Sequence, residues 1–123
     1  MKVFNYVLYA MLCIIFFACR HHHGDISITY NDAEEYYSMN AYFNENQTRT
    51  LEHYMDRRLA KGNDISFINM QNDAMLTLDD HTKFYLKKTP GQIRIRLNKG
   101  ENSYAAYHRI KSMCEGMKNI LTK

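Results

Sequence analysis

The sequence lacks the short motifs of several common enzyme classes and is poor in cysteine and proline. No nucleophile elbow, zinc-protease helix or phosphate-cradling glycine loop occurs in it. Of its three cysteines, two lie in the first nineteen residues, so the rest of the chain keeps Cys114 alone and a disulfide framework is excluded. Sixteen basic and thirteen acidic side chains give a net charge of +3, which is no polyanion-binding excess.

The longest apolar run, Val3 to Cys19, follows the single charge of Lys2. A positive start, an apolar centre and a small residue before the cut, here Ala18, are the parts of a secretory signal. Because Cys19 comes next, the segment resembles the signal of bacterial lipoprotein precursors, although Phe16 stands where leucine is commonest in that family. The resemblance implies a signal peptide over residues 1–18 and a lipid-modified N-terminus at Cys19.

An uncleaved anchor is the alternative, since Val3 to Cys19 has the lower-limit length of a membrane span. Both interpretations place the body outside the cytoplasm, attached to a membrane of the cell envelope. With Cys13 removed and Cys19 capped by lipid, Cys114 has no partner. Without lipidation, a bond from Cys19 to Cys114 or a dimer through Cys114 becomes available.

Residues 19–25 are predicted to form a lipidated tether, because Arg20 to Asp25 contains no apolar residue to anchor it. Three consecutive histidines suggest a metal ligand set. Contiguous residues in a tether cannot close a tetrahedral site, however, so we predict no metal and no cofactor here. Residues 26–123 then have the length of one domain.

Within that domain, period-two alternation predicts strands and spacings of three and four predict helices. Asn44 with Gln47 indicates the start of the first helix, and Gly62-Asn63 its end. The predicted strands cover 26–30, 35–43, 65–69, 74–78, 83–88 and 92–97, with turns at residues 71–73, 79–82 and 90–91 between the last four. The predicted helices cover about 46–61 and 103–121, the second capped by Asn102 or Ser103. Gly116 lowers the helix propensity of the second helix, so we expect a close packing contact there. The class is therefore α+β, a two-layer sandwich with an antiparallel sheet of about six strands and two helices on one face, in the order ββαββββα.

Such a sandwich leaves the far face of the sheet open. Tyrosine with arginine is the composition favoured at binding surfaces. The candidate binding residues on that face are Tyr36, Tyr42, Tyr85, Lys83, Lys87, Arg94 and Arg96. The competing interpretation is that cross-strand tyrosines merely stabilise an exposed sheet.

Charge is segregated along the chain. Residues 25–45 contain five acids and no lysine or arginine, whereas residues 83–99 contain six bases and no acid. If the two hairpins are neighbours, the blocks neutralise each other across strands. If they lie at opposite edges, the protein has a basic end suited to anionic ligands or lipid headgroups.

Catalytic groups are sparse. His53 and Asp56 lie three apart on the first helix, and His81 follows Asp79 and Asp80 in a turn that already explains all three residues. The function predicted is an extracytoplasmic, membrane-tethered module that binds a protein, for example an immunity or inhibitor protein. Export and the absence of an RNA-binding signature argue against nucleic acid. The alternatives are a small periplasmic enzyme, which needs His53, His81 or Asp79 to converge in a pocket, and a structural envelope lipoprotein.

Overall fold

The computed structural model describes residues 26–60, 65–68 and 72–122. The predictions for the N-terminal segment, namely the signal peptide over 1–18, lipidation at Cys19 and the tether over 19–25, lie outside the described residues. The predicted helix end at Gly62-Asn63 lies outside them as well.

Five strands and two α-helices follow one another in the order ββαβββα. The strands are β1 (Ser27–Asp32), β2 (Tyr36–Tyr42), β3 (Asn72–Thr77), β4 (Lys83–Thr89) and β5 (Gln92–Asn98), and the helices are α1 (Thr48–Met55) and α2 (Tyr104–Leu121). A 3₁₀ turn (Glu45–Gln47) precedes α1, and a π-helical turn (Asp56–Ala60) follows it.

All neighbouring strands pair antiparallel, in the spatial order β1-β2-β5-β4-β3. The chain leaves the hairpin of β1 and β2 through α1, enters the opposite edge at β3 and returns strand by strand until β5 lies beside β2. In that central pair Asn40 lies opposite Arg94 and Ser38 opposite Arg96. The two hairpins that carry the segregated charges are therefore neighbours.

The core lies between one face of the sheet and both helices. Alternate residues of β2, β4 and β5 are buried there, as period-two alternation predicts. They pack in one cluster with the apolar sides of both helices. The core includes Tyr37, Met39, Ala41, Phe84, Leu86, Ile93, Ile95 and Leu97 from the sheet, and Leu51, Met55, Ile110, Met113, Met117 and Leu121 from the helices. The α+β class and the antiparallel sheet with two helices are confirmed.

The predicted strand count of about six is wrong, because residues 65–68 form no strand. The Asp56 carboxylate accepts hydrogen bonds from the Phe67 backbone N–H (2.6 Å) and the Ser66 hydroxyl (2.9 Å). The Phe67 ring is fully buried in the core. The Phe67 N–H, which a strand would use in a ladder, is thus bonded to Asp56 at the end of α1, and the Ile68 N–H donates to the Ser66 hydroxyl. The element order is ββαβββα rather than ββαββββα.

The predicted turn at residues 71–73 is also wrong at its described positions. Asn72 and Asp73 belong to β3, where they lie opposite Lys88 and Lys87. The predicted turns at residues 79–82 and at Pro90-Gly91 are confirmed. His81 donates its backbone N–H to Leu78 (2.9 Å), and Gly91 has the positive φ of 79° that the Pro90-Gly91 turn requires.

Asn44 and Ser103 act as caps, as predicted, but the Gln47 side chain does not bond back to Asn44 to close a capping box. Ser103 accepts a hydrogen bond from the Ala106 N–H (3.0 Å) and begins α2, and Asn44 accepts one from the Asn46 N–H (3.2 Å) before the 3₁₀ turn. The Gln47 side chain donates to the carbonyl of Leu121 (3.2 Å). It thereby links the start of α1 to the end of α2.

Candidate binding site on the open sheet face

The predicted binding residues share the face of the sheet opposite the helices. On β2 and β5, Tyr36, Tyr42, Arg94 and Arg96 alternate with buried core residues. On β4, Lys83, Tyr85 and Lys87 do the same. No described element covers this face, which we call the open face. The structure therefore places every residue of the predicted set on one face, although Tyr42, Lys83 and Lys87 line neither of the depressions described below.

Side-chain contacts order the aromatic residues of the open face. The Arg96 guanidinium lies 4.1 Å from the centroid of the Tyr36 ring, at a cation–π distance. Gln92 donates a hydrogen bond to the Tyr42 hydroxyl (3.2 Å) across the pair of β2 and β5. The Tyr85 hydroxyl donates to the Asp73 carboxylate, and this bond raises the pKa of Tyr85. Cross-strand contacts of this kind stabilise a sheet and also hold the rings in fixed positions.

The acidic block does not neutralise the basic block on the open face, although the hairpins are neighbours. Arg94 and Arg96 lie opposite Asn40 and Ser38, which carry no charge. Asp32, at the end of β1, instead pairs with Lys99 (2.7 Å) beyond the end of β5. Among the described strand residues, the open face carries the bases Lys83, Lys87, Arg94 and Arg96 and the acid Asp73.

Two shallow depressions lie on the open face, and Tyr36, Arg94 and Arg96 line both of them. The first, of about 460 Å³, lies over β1, β2 and β5. Its polar lining consists of Thr29, Asn31, Tyr36, Ser38, Asn40, Arg94 and Arg96. The second, of about 540 Å³, lies towards β3 and β4. It is lined by Tyr36, Met75, Tyr85, Arg94, Arg96, Asn98 and Glu101.

The residues considered for catalysis take part in local structure or lie outside the two depressions. The Asp56 carboxylate accepts hydrogen bonds from Phe67 and Ser66, as described above. His81 occupies the left-handed region with φ of 70° in its turn. None of the candidates His53, His81 or Asp79 lines either of the two depressions. Among the described residues, no cluster of three histidine, cysteine or acidic side chains could hold a metal ion.

Cys114 is fully buried on α2, and burial raises the pKa of its thiol to about 12. The reactive thiolate is therefore scarce at neutral pH. A disulfide with Cys114, or a dimer through it, would require α2 to leave its place on the sheet.

Sequence reasoning left β3 out of the open face, although Asp73, Met75 and Thr77 lie there opposite Lys87, Tyr85 and Lys83. Met75 is 58% exposed on β3, opposite Tyr85, and Asp73 accepts the Tyr85 hydrogen bond. The signal was present in the alternation of Asp73, Met75 and Thr77. For Asp73 it was obscured because the polar residues 71–73 were interpreted as a turn.

Comparison with models of protein families, with curated proteins and with solved structures finds no match to this chain. None of the described helices combines the length and the hydropathy needed to cross a bilayer.

Proposed function

We propose that the protein is a membrane-tethered module of the cell envelope that binds an acidic protein partner on its open face. An immunity or inhibitor protein is one form of such a module. The observation that carries the proposal is the charge of this face: the bases cluster there, while the acids of the first hairpin do not lie opposite them. Complementary charge steers a partner and fixes its orientation.

The open face also has anchoring groups beside its charges. Tyr42 is 47% exposed and Met75 is 58% exposed, so both retain apolar area that a partner can bury. Tyrosine, arginine and methionine are the residues enriched at protein interfaces. Tyr36 and Arg96 are already in contact with each other, and such preorganisation lowers the entropy cost of binding.

Support for the tether comes from the sequence alone, through the apolar segment and Cys19. The test is the intact mass of the protein extracted from membranes of the organism that encodes it. We expect the mass of residues 19–123 with lipid at the N-terminus. An intact mass equal to that of the full 123-residue chain would contradict lipidation.

Partner binding is tested by photocrosslinking in cells. A photoreactive phenylalanine analogue replaces Tyr42 on the open face or, in the matched control, Tyr104, which is 74% exposed on α2. We expect a discrete heterologous adduct at position 42 and none at position 104. Equal capture at both positions, or an adduct only with a second copy of the chain, would contradict the proposal.

Capture alone does not show that charge selects the partner. The position-42 probe is therefore combined with Arg94→Glu, which reverses one charge on the open face. Glu115→Arg, which reverses an exposed charge on α2, serves as the control. We expect the adduct to disappear only with Arg94→Glu. An adduct that survives this change would show that an acidic partner surface is not what binds.

A further inference from the structure

The first depression differs from the second in its charge. Arg94 and Arg96 line both, but Glu101 lines only the second. The first depression is lined by no acidic side chain. An anionic group is therefore favoured over β1, β2 and β5.

The two arginines have the spacing of an extended peptide. Arg94 and Arg96 are two residues apart on β5 and share the open face, so their Cα atoms lie about 7 Å apart. Alternate residues of any extended chain have the same separation. A guanidinium offers a planar fork of donors that matches a carboxylate. Two carboxylates at alternate positions of an extended segment can thus meet both arginines at once.

Asn40 supplies a second and independent observation. Its side-chain oxygen is buried in the first depression and has no hydrogen-bond partner among the described residues. Buried polar atoms are usually paired, and because this oxygen has almost no accessible surface, a ligand's donor reaches it only when the Asn40 side chain rotates towards the depression. A carboxylate has no donor, whereas the backbone N–H of a peptide has one.

We infer that the first depression binds an extended acidic segment of the partner, with acidic residues at alternate positions. Their carboxylates pair with Arg94 and Arg96, and a backbone N–H of the segment donates to Asn40. Ser38 and Thr29 line the same depression and offer hydroxyls to the segment's remaining polar groups. This inference rests on the proposed function and specifies which part of the open face recognises the acidic partner.

The test uses the full chain in detergent and three capped synthetic pentapeptides, with binding followed by calorimetry and by NMR shifts of the arginine side chains. The sequences are Thr-Glu-Thr-Glu-Thr, Thr-Glu-Glu-Thr-Thr and Thr-Gln-Thr-Gln-Thr. Adjacent glutamates of an extended peptide point to opposite sides, so only one can reach the depression. We expect the alternating peptide to bind about tenfold more tightly than the adjacent one, the equivalent of one charge-assisted contact. The neutral peptide should not bind.

Two variants, each of which removes one positive charge, locate the site. Arg94→Gln should weaken the alternating peptide about tenfold, whereas Lys118→Gln, exposed on α2 and outside the open face, should leave binding nearly unchanged. Asn40→Ala should weaken it as well, about fivefold, through the lost acceptor. Circular dichroism and thermal unfolding of each variant confirm that the fold is retained.

Equal binding of the two charged peptides would overturn the inference, because it would mean that total charge and not spacing is recognised. Absence of binding by the alternating peptide would overturn it too. In either case, a heterologous adduct at position 42 that is lost with Arg94→Glu would still support the proposed function. The two hypotheses therefore fail separately.

Discussion

Lys88 places a charged group on the helix-facing side of the sheet. Its Nζ atom lies 3.0 Å from the Glu52 carboxylate of α1 and donates to the Phe67 carbonyl at 2.9 Å. Both charged residues are about 95% buried. Lys88 follows Phe84 and Leu86 at period two, so alternation alone assigns it to the core face. Its partner depends on how α1 lies over β4, which alternation does not reveal.

Replacing this lysine tests what the buried pair contributes. We expect Lys88→Met to lower the free energy of unfolding by about 3 kcal/mol or more, because methionine keeps the packing of the stem but leaves Glu52 and the Phe67 carbonyl without the ammonium group. Chemical denaturation is the measurement. Lys87→Met, the neighbour on the open face, is the control and should change stability by less than about 1 kcal/mol. Equal effects of the two substitutions would mean that the buried pair has no special role.

At the scale of elements, α1 and α2 are in close contact where Gly116 meets Tyr54. The Tyr54 hydroxyl donates to the Met113 carbonyl (2.9 Å) inside α2. A Cβ atom at position 116 would overlap this hydroxyl and would lie 3.1 Å from the ring carbon that bears it. The helix thus carries a glycine, at a cost of about 1 kcal/mol relative to alanine, because the ring needs the space. The sequence indicated such a contact but not its partner.

At position 116 we expect the usual preference of a helix for alanine over glycine to be reversed. Gly116→Ala should destabilise the protein by about 1–2 kcal/mol, since the overlap outweighs the gain in propensity. In a Tyr54→Phe background the same substitution should be close to neutral, because the overlapping oxygen is gone. Asn119→Ala, at an exposed position of α2, is the control and should not destabilise. Thermal unfolding of the four variants measures the coupling. Additive effects would show that Tyr54 is not what position 116 accommodates.

For the whole molecule, the sequence predicts those features that are determined by residues close to one another in the chain. The open face was predictable because residues two apart on a strand share a side, which placed Arg94 with Arg96. The strand predicted at 65–69 is absent over the described residues 65–68 for a non-local reason, since Asp56 accepts a hydrogen bond from the Phe67 N–H eleven residues away. The order of the strands in the sheet could not be predicted from the sequence either. The sequence left two arrangements of the charged hairpins open, and only the pairing of β2 with β5 decides between them.

That pairing also brings Asp32 to a point where three parts of the chain meet. Its carboxylate accepts hydrogen bonds from Lys99 (2.7 Å) in the loop after β5, and from Tyr107 (2.7 Å) and Lys111 (3.0 Å) on α2. These bonds, with that from Lys99 the largest contribution, hold the pKa of Asp32 well below its usual range. The edge strand β1 is thereby connected to the helix layer through a charge.

The pH dependence of unfolding should report this connection. Because the pKa of Asp32 is lower in the folded than in the unfolded state, its contribution is fully present above the ordinary carboxyl pKa of about 3.9 and is lost as the pH falls towards the folded value. Asp32→Asn should therefore be less stable than the wild type by a constant amount from pH 7 to 5. The difference should shrink below about pH 4. Urea unfolding at pH 7, 5 and 3 measures it, with Glu34→Gln as the control for a charge removed from the same hairpin. A difference that stays constant down to pH 3 would mean that the charge of Asp32 does not fasten β1 to the helix layer.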